Sequence, residues 1–235
     1  VPQDDREGAN WYRRAAEHGS CQAQYSLSYP FDNGQGVPQD FGEALKWHRK
    51  AAEQGEAESE ARIGLMYRDG TGVPQNWSEA AEWFLKSAEH GSTSAESEIG
   101  WLYLNGLGLR QDFRKALKWF RKAAEQDSPD AAEVLGLMYA AGMGTPKNLP
   151  EALKWWRKAA GKGHAGSQYQ LGMAYEEGLG TAQDYREALE WFRKAADQGD
   201  AGAQNGLGRM YYYGKGVSPD MDAAEKGWRK AAEQG

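Results

Sequence analysis

The sequence predicts an all-α fold, an α-solenoid of antiparallel helix pairs, and three observations lead to this prediction. One pattern recurs every 36 residues with no insertion between copies. Apolar and small residues inside each copy recur at helical spacing. Glycine pairs and capping residues mark the ends of two helices in each copy.

The 235 residues divide into a half repeat and six full repeats, which we interpret as a single repeat domain over 1–235. The half repeat is 1–19, and the full repeats are 20–55, 56–91, 92–127, 128–163, 164–199 and 200–235. Repeat position 0 is the first residue of each full repeat, for example Ser20. A unit this short cannot bury its apolar face alone, so each unit must pack on its neighbours.

The first half of each repeat predicts one helix, called helix A. Its apolar or small residues fall at positions 3, 7, 8, 10 and 11. Position 8 is glycine in five of the six full repeats. Because a glycine inside a helix costs about 1 kcal/mol relative to alanine, its recurrence predicts a close approach to a neighbouring helix. Glycines at positions 14 and 16 predict the end of helix A.

The second half of each repeat predicts another helix, called helix B. Position 20 is Asp or Asn in all seven copies, and both side chains cap helix N-termini well. Glutamate three residues later in most copies, as Glu43 follows Asp40, predicts a reciprocal capping box. Tryptophan at position 27 and small residues at positions 31 and 32 predict tight packing between helices.

The combined pattern, from Leu-Gly-x-Met-Tyr to Ala-Glu-Gln-Gly, resembles the Sel-one-like repeats (SLRs), a branch of the tetratricopeptide superfamily. It stands nearly intact at residues 63–91 and 171–199. The resemblance implies a right-handed superhelix whose concave side is lined by A helices, and a role as a binding scaffold. It implies no shared catalytic residues, so we expect neither an enzyme nor a cofactor. The paired cysteines of a disulfide-rich branch are missing, since Cys21 is the one cysteine in the sequence.

Six aromatic residues fall outside the repeat framework, and all lie in helix A at positions 5, 9, 12 or 13. These positions share one helix face, and large aromatics on a variable face are typical of a binding surface. Mixed charges beside the rings favour a peptide as the ligand. The predicted ligand-binding residues are Tyr25, Tyr29, Arg68, Trp101, Glu133, Tyr169, Met173, Arg209, Tyr212 and Tyr213.

Position 9 on this face has two interpretations. It is mostly apolar, but no one residue type dominates, as in Tyr29, Leu65 and Trp101. Either it is partly buried between successive A helices, or it forms an apolar strip that contacts a partner.

Several classes of function are disfavoured by composition. The net charge of −6 disfavours general nucleic-acid binding, and the basic pairs at positions 29 and 30 precede acids, as on an ordinary solvated helix face. The four histidines lack metal-ligand spacing. Cys21 is best interpreted as a small packing residue with a free thiol rather than a reactive site. No run of 18 apolar residues occurs, so no membrane span is expected.

No leader pattern stands in the sequence, although a removed leader is compatible with it. We therefore expect a soluble protein, with the bacterial cytoplasm, the periplasm and secretion all left open.

The first repeats depart most from the pattern. Pro30 stands inside the last turn of the first helix A, so we expect that helix to kink or stop near Tyr29. This departure is either repeat decay or a reshaped end of the groove. The half repeat at 1–19 lacks its own helix A, which predicts an exposed apolar face and either a trimmed fragment or a homo-oligomer formed through that face.

The expected function is therefore a protein–protein interaction scaffold or adaptor that binds a peptide or protein segment in the groove lined by A helices. Two alternatives stay open. One is a binder or enzyme for small molecules or cell-wall fragments, like secreted SLR proteins. The other is a structural assembly subunit that uses its ends.

Overall fold

The computed structural model describes residue 11 and residues 13–234, and this part of the chain contains helices and no strand. The helical residues 13–17, called α1 here, come first. The following helices are α2 (Cys21–Asn33), α3 (Phe41–Ala52), α4 (Ala57–Asp69), α5 (Trp77–Glu89), α6 (Thr93–Asn105), α7 (Phe113–Glu125), α8 (Pro129–Ala141), α9 (Leu149–Ala160), α10 (Ala165–Glu177), α11 (Tyr185–Ala196), α12 (Ala201–Tyr213) and α13 (Met221–Ala232). Even-numbered helices are the predicted A helices and odd-numbered helices the predicted B helices. The prediction of an all-α repeat solenoid is confirmed.

The helices form two compact units. Unit 1 ends at Trp119 and unit 2 begins at Phe120, so the boundary lies inside α7. Most of the half repeat, residues 1–10 and 12, lies outside the described residues, and so does the oligomer face predicted for it.

Each helix A is capped at both ends. The side chain at position 0 accepts a backbone hydrogen bond three residues later: Ser20 does so from Ala23, and Asp200 from Ala203. At the other end, Gly34 adopts a left-handed backbone with φ 68° and its N–H donates to the carbonyl of Pro30. Glycine takes this conformation without the strain that a Cβ would add. The same end recurs at position 14 of every full repeat.

Helix B is capped differently from the prediction. The carboxylate of Asp40 accepts from the N–H groups of Gly42 and Glu43, as expected. The reciprocal half of the capping box is not formed, because the backbone N–H of Asp40 donates to the carbonyl of Phe31 and Glu43 instead binds Lys46. The same bond from position 20 to the carbonyl at position 11 recurs in all six full repeats. It ties the start of each helix B to the helix A before it.

The first helix A was predicted to kink or stop near Tyr29, and the predicted stop is wrong. Helix α2 continues through Pro30 to Asn33 and has 13 residues, as α4 does. Leu27 and Phe31 on either side are buried, so packing against the neighbouring helices holds this segment helical despite the hydrogen bond that proline cannot donate.

The recurring glycine at position 8 lies beneath an aromatic ring from helix B of the same repeat. A Cβ added to Gly64 would lie 2.7 Å from the ring of Phe84, and one added to Gly172 would lie 2.6 Å from Phe192. Both rings are fully buried. The close approach predicted from the glycine pattern is therefore present, and it lets each helix pair pack tightly.

The basic residues of helix B take part in packing within and between repeats. Arg49 at position 29 donates to the hydroxyl of Tyr67 in the next repeat, at 2.9 Å. Lys50 at position 30 lies 4.3 Å from the ring centre of Trp47, a cation–π distance. Equivalent contacts recur in unit 2, where Arg157 binds Tyr175, Arg193 binds Tyr211 and Lys194 lies over Trp191.

A side-chain pair also joins the end of helix B to the helix A before it, between positions 34 and 4. In three repeats it is a glutamine pair: Gln54 with Gln24, Gln198 with Gln168 and Gln234 with Gln204. In the second full repeat it is His90 Nδ1 and the buried carboxylate of Glu60, 2.7 Å apart. The hydrogen bond that His90 donates to Glu60, and the negative charge of Glu60, raise the pKa of His90 above its ordinary value.

The glycine packing predicts opposite effects for two alanine substitutions in unit 1. Gly64→Ala should lower the thermal midpoint by several degrees, because overpacking a core costs about 1–3 kcal/mol. Gly42→Ala should leave the midpoint unchanged or raise it, since its added Cβ would meet only Asp40 Oδ1 at 3.3 Å and alanine favours the helix. Circular dichroism melting curves of the two variants test this. A Gly64→Ala variant as stable as the natural chain would contradict it.

The His90–Glu60 pair predicts a pH-dependent stability. Because the folded state raises the pKa of His90, the pair stabilises fully below the ordinary histidine pKa of about 6.5 and loses this effect as pH rises through the raised value. A Glu60→Gln, His90→Gln double variant should form the uncharged pair of the other repeats. The difference in thermal midpoint, natural chain minus variant, should fall between pH 6 and pH 8.5. A difference that stays constant over this range would refute the assignment.

Candidate functional site

The ten predicted binding residues all lie on A helices, four in unit 1 and six in unit 2. Unit 1 holds Tyr25 and Tyr29 on α2, Arg68 on α4 and Trp101 on α6. Unit 2 holds Glu133 on α8, Tyr169 and Met173 on α10, and Arg209, Tyr212 and Tyr213 on α12. The side chains differ widely in exposure: Tyr29 is 56% exposed, Trp101 44%, Tyr212 42% and Tyr213 65%. The other six are half-buried.

Unit 1 contains a cavity of about 230 Å³ on this face, called the Asp32 cleft here. Its walls come from α2, α3, α4 and α6. Of the predicted residues, it brings together Tyr25 and Tyr29. Four further lining residues, Asp32, His48, Glu58 and Arg62, supply the charge of the cleft and were not in the predicted set.

The Asp32 cleft exists because the first full repeat breaks the glycine–aromatic rule. Position 8 is Ser28 where the other five repeats have glycine, and position 28 is His48 where all other copies have an aromatic residue. His48 is as buried as those rings, but it brings two polar nitrogens into the packing layer. The paired departure at positions 8 and 28 is the sequence signal that marks the cleft.

A buried polar chain forms the base of the cleft. Asp32 Oδ2 accepts from His48 Nε2 and from Arg62 Nε, both at 3.0 Å. The other ring nitrogen, His48 Nδ1, lies 3.3 Å from Ser59 Oγ. Side-chain exposure is 5% for Asp32 and 3% for His48. Asp32 Oδ1 is buried and, within the described part of the chain, has no hydrogen-bond partner.

The Asp32 carboxyl is ionised at neutral pH. Burial acts to raise its pKa, but the hydrogen bonds and charges of His48 and Arg62 outweigh burial, and the pKa lies below its ordinary value. One oxygen of this carboxylate accepts two hydrogen bonds, and the other accepts none from the described residues. The second oxygen can therefore still accept a hydrogen bond.

Ser59, His48 and Asp32 are the residue types of a nucleophilic triad, but their geometry does not support that chemistry. Ser59 is fully buried, so a substrate cannot reach its hydroxyl. Nucleophilic catalysis needs an oxygen that can approach a carbonyl. The chain of hydrogen bonds therefore fixes the position of Asp32 rather than activating a serine.

Three predicted residues take part in contacts between successive A helices. Arg68 bonds to Glu98 on α6 at 2.7 Å as well as to its neighbour Asp69. In unit 2, Arg209 donates to the buried Glu176 at 2.6 Å and lies 3.8 Å from Met173 Sδ. Lys215 binds the second oxygen of Glu176 at 3.0 Å. The half-buried interpretation of position 9 therefore holds for Met173 and Arg209.

Glu133 and Tyr169, both at position 5, lie over glycines of the next helix A. A Cβ added to Gly166 would clash with the Glu133 carboxylate, and one added to Gly202 would lie 3.0 Å from the ring of Tyr169. Desolvation by burial raises the pKa of Glu133. These two side chains pack between repeats with one edge open to solvent.

The last predicted pair forms an aromatic patch on α12. Tyr212 and Tyr213 meet edge to face with ring centres 4.8 Å apart, and Tyr212 lies 5.5 Å from Trp228. The Trp228 contact anchors Tyr212, while Tyr213 is mostly exposed.

Within the described residues, no group of three or more His, Cys, Asp or Glu side chains is placed to hold a metal ion. None of the helices in residues 13–234 is long and apolar enough to cross a bilayer. The Cys21 thiol lies 3.8 Å from the carbonyl of Ala51, and burial raises its pKa, which lowers its reactivity.

The repeat pattern matches one family along the whole chain. The Sel1 repeat model matches residues 1–20, 21–56, 57–92, 93–128, 129–164, 165–200 and 201–235. This chain belongs to the Sel1 repeat family. Sel1 repeat proteins generally bind other proteins and act as interaction scaffolds. No curated protein matches the chain.

Solved Sel1 structures share its fold. A protective antigen with an SLR fold, present in uropathogenic Escherichia coli strains, is 36% identical with a TM-score of 0.93; the match covers 97% of this chain and 49% of that one. This chain thus spans about half the length of that relative. A Sel1 repeat protein from Oxalobacter formigenes is 32% identical with a TM-score of 0.82, covering 91% of this chain and 85% of that one.

A more distant structure shows the fold alone. An immunity protein from Pseudomonas aeruginosa is 20% identical with a TM-score of 0.52, covering 91% of this chain and 81% of that one.

The polar base of the cleft predicts that restoring the framework residue at position 28 will destabilise the protein. His48→Phe removes a charged hydrogen bond worth about 2 kcal/mol and crowds Ser28, so the thermal midpoint should fall by several degrees. Adding Ser28→Gly should relieve the crowding, and adding Asp32→Ala should remove the buried charge. The triple variant should melt near the natural chain. Equal midpoints for the single and triple variants would contradict this coupling.

Proposed function

We propose that this Sel1 repeat protein is an interaction scaffold that binds an extended segment of a partner protein on the A-helix face of unit 1. The observation that carries the proposal is the exposure of Tyr29 and Trp101, two large aromatic side chains at position 9. Tyr29 borders the Asp32 cleft. Exposed aromatics that become buried in a contact are frequent binding hot spots.

The size of the cleft favours a peptide over a free small molecule. Pockets for drug-sized ligands enclose about 300–1,000 Å³, whereas the Asp32 cleft encloses about 230 Å³. A volume of this kind suits one inserted side chain, with the rest of the segment lying over the surrounding surface. Leu65, which is position 9 of the repeat between those of Tyr29 and Trp101, also lines the cleft. It continues the apolar strip along position 9.

The A-helix face of unit 2 is a weaker candidate for the same role. Two of its predicted residues, Met173 and Arg209, are engaged in contacts around the buried Glu176. Its exposed aromatics, Tyr212 and Tyr213, lie together on α12 rather than on successive A helices. A segment bound there would have one aromatic anchor point instead of two.

Replacing the two aromatic anchors of unit 1 should abolish partner capture. Each buried aromatic anchor contributes about 2 kcal/mol, or roughly 30-fold in Kd, so a Tyr29→Ala, Trp101→Ala variant should lose partners that the natural chain retains. The measurement is affinity capture from the source cell with quantitative mass spectrometry, after circular dichroism has verified the helicity of each variant.

A matched double variant, Phe113→Ala with Met221→Ala, serves as the control. It removes two exposed apolar side chains from B helices, 38% and 61% exposed, without touching the proposed face. It should retain the same partners as the natural chain. If the Tyr29, Trp101 variant also retains them, binding occurs elsewhere and the proposal fails.

A further inference from the structure

The Asp32 cleft contains two carboxylates and has aromatic walls. The Asp32 carboxylate is bonded to Arg62 and His48, and Glu58 adds a second carboxylate at an exposed position. Tyr25 and Tyr29 supply the rings. Cations bind favourably over the faces of such rings, so charge and ring chemistry both select for a positive group.

Arg62 does not neutralise the cleft completely. Its guanidinium Nε donates to Asp32 Oδ2, the same oxygen that His48 binds. Asp32 Oδ1 stays without a donor among the described residues although the Asp32 side chain is 95% buried. A buried carboxylate oxygen without a donor is unfavourable, so a donor supplied by a ligand would remove that penalty on binding.

In unit 2, the buried acid at the equivalent position has a hydrogen-bond donor on each of its two oxygens. Glu176 occupies the same repeat position 12 and is 4% exposed, but both of its oxygens are bound, by Arg209 and by Lys215. Two cations from the chain itself satisfy that buried acid. In the Asp32 cleft both donors, Arg62 and His48, bind the same oxygen, and the other oxygen has no partner among the described residues.

We propose that the Asp32 cleft binds a lysine or arginine side chain of the partner segment, with the cation between Tyr25 and Tyr29 and a donor directed to Asp32. This rests on the proposed peptide-binding function and names the residue that the peptide must carry. An anionic side chain is disfavoured, since it would face both Asp32 and Glu58. A neutral apolar side chain would leave Asp32 Oδ1 without a donor.

The test uses a random 12-residue peptide library displayed on phage and selected against the whole chain. Selected peptides that lose binding to the Tyr29→Ala, Trp101→Ala variant are synthesised, and their Kd values are measured by fluorescence polarisation. Each lysine is then replaced by norleucine, and each arginine by citrulline, which keep the side-chain length and remove the charge. We expect one basic position whose replacement weakens binding tenfold or more.

Variants of the protein should locate that position in the cleft. Against Asp32→Asn, the same peptide replacement should change Kd by a clearly smaller factor than against the natural chain, because only one of the two carboxylates of the cleft is left. Glu58→Gln is an exposed substitution whose amide oxygen can still accept the hydrogen bond from Ser92. It should weaken the basic peptide severalfold but leave the norleucine or citrulline peptide unchanged. Glu176→Gln, at the matched position of unit 2, should leave both Kd values unchanged.

The outcomes separate the two proposals. If selected peptides need Tyr29 and Trp101 but tolerate every loss of a basic charge, the cleft proposal fails and the scaffold proposal stands. If no selected peptide depends on Tyr29 and Trp101, both fail. Should Asp32→Asn unfold, Glu58→Gln decides alone: equal weakening of the basic and neutral peptides would overturn the proposal.

Discussion

The structure depends on one close contact, repeated along the chain, in which an aromatic ring of helix B lies directly on a helix A glycine. Gly64 with Phe84 and Gly172 with Phe192 have no room for a methyl group between them. This contact fixes the distance between the two helices of a repeat. The hydrogen bond from the backbone N–H at position 20 to the carbonyl at position 11 fixes the offset of the two helices along their axes. With both set, the remaining helix A positions are free to vary without loss of the fold.

That freedom has been used in two ways. Some variable positions bind neighbouring repeats, as Arg68 binds Glu98 and Arg209 binds Glu176. Others expose a large part of their side chain to solvent, as Tyr29 and Trp101 do. Variation on the A face is therefore not a uniform sign of ligand contact. The residues of an ion pair between adjacent repeats need to match only each other, and a binding residue needs to match only its ligand. Both kinds of residue can therefore differ from repeat to repeat.

The helix pairs were predictable because every repeat packs in the same way, so glycine, tryptophan and capping residues recur at fixed positions. Of the kink or stop predicted near Tyr29, the stop was wrong, since buried Leu27 and Phe31 outweigh the hydrogen bond that Pro30 cannot donate. The Asp32 cleft was missed because its contact between Asp32 and His48 has no copy elsewhere: position 28 is histidine in this repeat alone. The contact between Asp32 and Arg62 has an equivalent in Arg68 and Glu98, with the charges exchanged. The joint change of Ser28 and His48 is therefore the sequence signal for the cleft.

The charged residues of the cleft come from two repeats, since Asp32 and His48 belong to one copy and Arg62 and Glu58 to the next. Gene duplication of one repeat would keep the helix pair intact but would place a different neighbour beside Asp32. An array of this kind can thus gain or lose recognition by changing the order of its repeats, with no change in any single repeat. The sequence of units along the chain carries information in addition to the sequence within each unit.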